Sequence, residues 1–406
     1  MDTKSGYPFW ALKNGLPAPF PQLARDCACE VLVIGGGITG ALIADHLSHH
    51  GHEVVVVEQR DIAWGSTAAS TALLQYEIDT HMVDLAKRYD EATAVLAYQA
   101  CADAIGTLTK VATGIRDVGF ARSDSLYIAS KPRHVGVLAE EHAMRTRHGL
   151  PAVWLSAGAI RERYGFAAPA GICTDLAATV DPYRFACRLF ARIRRRGAGV
   201  FDRTEIVDVA QTARGVTVRT HRDVTIRARH VVVAGGYQSQ RWLKQRVAKN
   251  RSSYACISDP IDRALLGPLK HTMIWESARP YLYLRSTSDD RILVGGEDDA
   301  VDVPRKRDGR VHKRARQLVK QVDARFPHLE LAPAFAWAGT FAETADGLPF
   351  FGAHDQHGSR ILFAMAYGGN GITYSMLGAE LLCALIERRP HPLAELFSFR
   401  RLGTAV

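Results

Sequence analysis

The chain has 406 residues, 47% apolar and 23% charged, enough for two or three domains with cores of their own and typical of a globular enzyme. No apolar run approaches the roughly 20 residues that cross a bilayer, and the opening MDTKSGYPFWALKNG lacks the basic-then-apolar order of a secretory leader, so a cytoplasmic location is expected. The net charge of +9 is concentrated in Arg192, Arg194, Arg195 and Arg196, in Lys244 to Arg251 and in Lys306 to Lys320. These runs read as solvated helix faces, with a polyanion or an anionic membrane surface as the alternative.

Residues 1–29 read as an irregular leader, because Pro8, Pro17, Pro19 and Pro21 interrupt any long helix. The stretch EVLVIGGGITGALIADHLSHHGHEVVVVE, residues 30–58, follows it. Val31 to Ile34 form a short apolar run suited to a strand buried on both faces. Gly35, Gly37 and Gly40 then make a G-x-G-x-x-G turn. The first glycine permits the tight turn, the second lets a pyrophosphate approach the backbone, and the third lets helix and strand pack closely. Ala41, Leu42, Ala44 and Leu47 give a helical apolar stripe, Gly51 a left-handed stop, and Val54 to Val57 a second strand. Glu58 stands about 20 residues past the glycines, where a carboxylate accepts hydrogen bonds from a ribose. With strand, turn, helix, strand and acid all in register, this unit predicts adenine-dinucleotide binding.

A loop rich in small and hydroxyl residues, DIAWGSTAASTALLQYEID, comes next. Helical periodicity covers 82–114 with one break, then 133–148 and 156–164, with a strand at Ser125–Ser130 between. A long amphipathic helix starts at Pro182, a favoured first helical position, and ends at Arg196. Short strands follow at Thr204–Val209, Val216–Thr220 and Val224–Ala228, and HVVVAGGYQS supplies another buried strand. PYLYLRSTSDDRILVGGED reads as a hairpin around Ser288, Asp289 and Asp290. A basic helix spans 308–325, residues 334–366 are strand-rich, and Ile372 to Arg388 form the last helix. Seven scattered cysteines suggest neither a disulfide framework nor zinc spacing. His49, His50 and His52 read as surface residues, so no metal site is expected. Apart from Trp242, the basic runs lack interleaved aromatics, which argues against nucleic acid as a partner.

VVVAGGY lacks a third glycine and a downstream acid, so the chain carries one dinucleotide unit. Four segments in order decide between cofactors: VVVVEQRDIAWGST, RHVVVAGGYQS, YLYLRSTSDDRILVGG, and GTFAETADGLPFFG with ILFAMAYGGNGITYSMLGAELLCALI. Over most of its length the chain resembles the D-amino-acid-oxidase-type FAD-dependent oxidoreductases, a group that includes glycine oxidase, sarcosine oxidase and gamma-glutamylputrescine oxidase. The proline- and aromatic-rich leader resembles the last branch. Many members have Gly-Ala-Ser-Gly-Arg-Asn-Gly-Gly after the acid. This chain has Gly65-Ser66-Thr67-Ala68-Ala69-Ser70-Thr71-Ala72, which keeps the hydroxyls and loses the later glycines.

The resemblance implies an α/β fold, with a Rossmann-like FAD-binding domain (residues 30–86, 153–250 and 334–390) interleaved with a mainly antiparallel β-sheet substrate domain (87–152 and 251–333). It implies FAD as cofactor and oxidation of a C–N bond in an amine or amino acid, with hydride passing to flavin N5 and oxygen reduced to peroxide. The alternatives are a hydroxy-acid or amino-acid dehydrogenase that reduces a quinone, action on a modified tRNA base, and a non-catalytic flavin-binding protein. Gly35, Gly37, Ile38, Thr39 and Gly40 would hold the pyrophosphate at a helix N-terminus, and Glu58 the ribose, with Gln59 and Arg60 nearby. Ser66 and Thr67 would contact phosphate or flavin. Gly235, Gly236 and Gly339 would pack close to the cofactor. Gly368, Gly369, Asn370, Gly371, Ile372 and Thr373 would aim a helix N-terminus at the flavin pyrimidine, stabilising charge that develops there. Arg285, on the first hairpin arm, would grip a substrate carboxylate. Tyr254, Tyr281, Tyr283, Trp337 and Tyr367 would wall the pocket.

Overall fold

The computed structural model describes residues 2–15, 19–300 and 302–403, so Pro17 lies outside the described residues. Two sheets organise the chain. The eight-stranded sheet runs in the order Phe350–Ala353, Ile361–Met365, Thr225–Val233, Cys27–Ile34, Val54–Val57 and Gly199–Phe201. Its centre is parallel, with Val33 opposite Val56 and Val232 opposite Leu362. Val31 and Val33 point into one apolar core with Ala41, Leu42 and Leu47 of the helix Ile38–His49. Leu32 and Ile34 point into another, with Val218 and Phe363. That two-sided burial is why the run is continuously apolar rather than alternating. The hairpin Ile206–Gln211 and Val216–Thr220 hangs antiparallel from Thr225–Val233. The last strand absorbs two segments read separately from the sequence.

The ten-stranded sheet is antiparallel except for one parallel pair, Ala121–Ile128 with Thr272–Glu276. It includes Lys249–Ser258, Leu282–Ser286, Ile292–Asp299 and Pro333–Glu343. Ala170–Thr179 and Val153–Ser156 also belong to it, two strands that the sequence pattern does not predict. The expected hairpin forms with Leu284 opposite Val294. Leu282 and Leu284 enter the core beneath the sheet. Tyr281 and Tyr283 alternate to the other face, as the two-residue period of a strand requires.

The predicted helices form, and Glu91–Thr113, Ala157–Tyr164 and Pro182–Arg195 carry side-chain N-caps. The break within 82–114 falls between Met82–Arg88 and Glu91–Thr113, where the Asp90 carboxylate accepts the Thr93 N–H at 2.6 Å. Asp181 caps Pro182–Arg195 in the same way. Several basic residues are held in ion pairs with carboxylates rather than left free. Arg192 holds Asp45, while Arg310 and Arg314 hold Asp299 at 2.8 and 2.6 Å.

The leader is the main departure from expectation. Lys4–Gly6 adds an antiparallel strand to the edge of Pro333–Glu343, with Lys4 opposite Gly339. Phe9–Asn14 forms a helix that buries Phe9, Trp10 and Ala11. Pro8 stands between the two elements and Pro19 and Pro21 lie beyond the helix, so a reading that asks only for long helices passes over them.

Candidate functional site

One continuous cavity runs between the two sheets. At one end lie the glycine turn and its partners. Gly35 has φ of 126°, and a Cβ there would come within 2.2 Å of the Ala234 carbonyl oxygen, so the turn admits only glycine. Gly37, Ile38 and Thr39 line the cavity. Gly40 does not; a Cβ on it would meet the Gly35 carbonyl at 1.9 Å, which marks it as the helix-packing glycine. Glu58 also faces the cavity, and its oxygens accept the Gly36 N–H at 2.7 Å and the Arg60 N–H at 2.9 Å. Burial raises its pKa, and those backbone bonds oppose the shift. Gln59 donates to Gln238 at 2.7 Å. Thr67 accepts the Ile38 N–H at 2.9 Å, so its hydroxyl serves the helix N-terminus as well as the cavity. Ser66, Gly235, Gly236 and Gly339 line the same space.

At the other end, Gly368, Gly369, Asn370, Gly371 and Ile372 lead into the helix Gly371–Ile386 and reach the cavity with their backbone. Thr373 is buried behind them and donates to the Gln75 carbonyl at 3.0 Å. Tyr254, Tyr281, Tyr283, Trp337 and Tyr367 are all in the wall. The hydroxyl of Tyr254 donates to Asp299 at 2.7 Å, and that of Tyr367 to the Gly236 carbonyl at 3.2 Å.

Arg285 requires a correction. It shares the tyrosines' face of the strand but does not line the cavity. It is 2% exposed and gives its donors to the carbonyls of Thr71, Ser286 and Val180 at 2.7, 3.1 and 3.0 Å. The guanidinium lies 5.3 Å from the Trp10 ring. Burial pulls its pKa down to about 10. The leader helix covers this end of the strand and converts a candidate ligand into a structural arginine. All three of its nitrogens are turned to backbone carbonyls, and the side chain does not reach the cavity.

The sequence reading also missed residues that the fold brings in. Asp79 lines the cavity and accepts the Gly369 N–H at 2.9 Å. Trp275 lines it too, stacked on Tyr127 at 3.8 Å and donating to Ser125 at 3.0 Å, which in turn donates to the buried Glu77 at 2.9 Å. Asp79 ends the hydroxyl-rich loop and Trp275 sits in an apolar strand. Neither position carries a motif.

A family model for FAD dependent oxidoreductases (DAO) matches residues 30–385. The chain belongs to this family. Glycine oxidase from Geobacillus kaustophilus is 26% identical over 370 residues, covering 89% of this chain and 93% of its own. Gamma-glutamylputrescine oxidoreductase from Escherichia coli is 25% identical over 398 residues, covering 93% of this chain and 88% of its own. Among solved structures, glycine oxidase from G. kaustophilus superposes with a TM-score of 0.75 at 21% identity, covering 91% of this chain and 98% of its own. L-proline dehydrogenase from P. horikoshii gives 0.78 at 19% identity, covering 94% and 99%. Together they support the mixed α/β fold, and the chain is an FAD-dependent oxidoreductase. Among the described residues no helix is long and apolar enough to cross a membrane.

The residues present fit FAD. The wall at Gly37 lacks a side chain where a pyrophosphate must approach. The Arg60 Nε is a buried donor without a hydrogen-bond partner among the described residues. Two helix N-termini, at Ile38 and Gly371, open on one cavity.

Proposed function

We propose that this family member oxidises a C–N bond, and that its substrate is an amine recognised as a cation rather than a carboxylate. The carrying observation is the charge of the wall. Among the described lining residues the cations are Arg60 and Arg241, which belong to the Glu58 and Gln238 end. The aromatic end offers Asp79. Asp298 stands behind Ser253 with one buried carboxylate oxygen lacking a hydrogen-bond partner among the described residues. Arg279, over the Tyr281 ring at 4.4 Å, is drawn toward the carboxylates of Asp79 and Asp298. Bound in the cavity, FAD would supply the two-electron acceptor. The protein's own share is to seat the α-carbon between Tyr281, Tyr283 and Trp275, to exclude water with those rings, and to hold an ammonium at Asp79. The division into a cofactor half and a substrate half is part of the same proposal.

The test is anaerobic. Amines, amino acids and hydroxy acids are added in turn to the yellow protein, and bleaching of the visible flavin bands is followed. Bleaching by amines alone supports the reading. Bleaching by hydroxy acids alone, or by none of the three classes, overturns it. Reoxidation in air with peroxide, against reoxidation only by a quinone, identifies the acceptor.

Asp79→Asn keeps an acceptor for Gly369 but removes the charge. It should raise KM for the amine by roughly 10- to 100-fold, with FAD content unchanged. An unchanged KM would remove Asp79 from substrate binding.

A pH dependence accompanies this. Burial pushes Asp298 up to about 6, with Ser253 and Arg279 pulling the other way. It therefore ionises as pH rises through that value, and the inhibition constant of a quaternary amine, which binds but cannot be oxidised, should fall over the same range. Asp298→Asn should flatten the profile. By linkage, a carboxyl with a raised folded pKa contributes stability at low pH that is lost as pH rises through about 6.

A further inference from the structure

At the far ends of the two helices whose N-termini open on the cavity lies a cluster with no part in that chemistry. Ile38–His49 ends at His46, His49 and His50, and Gly371–Ile386 ends at Cys383 and Glu387. The ligand atoms of His46, His50 and Cys383 all lie within 4.8 Å of one another. So do those of His52, Cys383 and Glu387. His50 Nδ1 is 4.0 Å from a Glu387 oxygen. The His46 and His50 rings stack at 4.4 Å. His46 Nε2 is buried without a hydrogen-bond partner among the described residues, an arrangement that is costly in the absence of a ligand. Burial together with the neighbouring His50 pulls the His46 pKa down to about 4, which keeps the imidazole neutral and its lone pair available.

We propose that His46, His50, Cys383 and Glu387 form a transition-metal site of the zinc class, tying the C-terminal ends of the two helices together. Each helix supplies two ligands one turn apart, so both pairs project from one face. Tetrahedral zinc needs ligand atoms about 3.5 Å apart, which adjustments of about 1 Å in the exposed His50 and the partly exposed His46 and Glu387 side chains can supply around the buried Cys383. A thiolate, two imidazoles and a carboxylate select zinc or cobalt over magnesium or calcium. Binding releases the Cys383 thiol proton to solvent, and thiolate plus carboxylate then balance the charge of the dication. Both helices present their carbonyl ends here, which also favour a cation. His52 takes the outer position, between Glu30 at 3.1 Å and Glu387 at 3.2 Å, where it orients the Glu387 carboxylate. The proposal does not depend on the substrate reading above.

The test uses the full FAD-loaded chain. Its metal content is measured after exposure to zinc and gel filtration, and Co²⁺ is titrated while the difference spectrum is followed. The expected result is one metal per chain and a thiolate-to-cobalt charge-transfer band. That band should be lost in Cys383→Ser, and affinity should be weakened at least tenfold in His50→Asn, an exposed position that spares folding. Retention of flavin colour in each variant confirms that the protein is intact. Substoichiometric metal, or metal binding unchanged in both variants, would overturn the proposal.

Discussion

Arg285→Ala should destabilise the protein by on the order of 4 kcal/mol while leaving KM of the surviving enzyme unchanged. The side chain is 2% exposed and satisfies three backbone carbonyls, those of Thr71, Ser286 and Val180. Removing it takes a donor from each of these three carbonyls, at about 1–3 kcal/mol for each one left unpaired. It also removes the stack on Trp10, whose own Nε1 donates to the Ser70 carbonyl at 2.8 Å. The leader helix, Arg285 and the Ser70–Thr71 loop therefore loosen together, and loss should appear first as N-terminal proteolysis. Denaturant unfolding measures the effect. A variant of native stability whose KM rises steeply would show that Arg285 meets substrate after all. Arg285→Lys is a useful companion, because one ammonium cannot reach all three carbonyls in place of a planar fork.

Gly37→Val should give a folded, colourless protein that retains less than about a tenth of its FAD. Gly37 has φ of −83°, which valine tolerates, and an added Cβ would meet one heavy atom within 4 Å, the Thr67 hydroxyl oxygen at 3.0 Å. The Thr67 hydroxyl must give by a few tenths of an ångström to accept that Cβ. The space the valine fills is the approach to the helix N-terminus, where a pyrophosphate needs bare backbone N–H groups. Gly40→Ala makes the contrast, since its Cβ would strike the Gly35 carbonyl and break the packing of helix on strand. Flavin absorbance per chain, with far-ultraviolet circular dichroism as the folding control, separates the two. A fully yellow Gly37→Val protein would mean that the cofactor does not cross this turn.

The two variants mark how far the chain could be read before its fold was known. The dinucleotide unit was legible because its determinants are local. The glycines, the apolar runs and Glu58 sit within thirty residues, and each acts on near neighbours. The hairpin was legible for the same reason, including which of its residues alternate to the cavity side. Arg285 was placed on the correct face but given the wrong neighbours. What occupies that face is a helix from the leader, more than 270 residues earlier in the chain. Asp79 was invisible because nothing marks it until the loop before it folds against Gly369. The histidines at the end of the first helix looked solitary because Cys383 and Glu387 are more than 330 residues away.

By itself, then, the sequence determined the cofactor class, the strand–turn–helix with its glycine turn, and the alternation that puts Tyr281 and Tyr283 on one face of the hairpin. All of these follow from backbone geometry and side-chain period over short spans. Only the tertiary structure decided which charged groups reach the cavity and which are consumed in holding it together. A guanidinium or carboxylate is a ligand or a strut according to the partners that distant segments bring within about 3 Å of it, and residue spacing along the chain does not encode that distance.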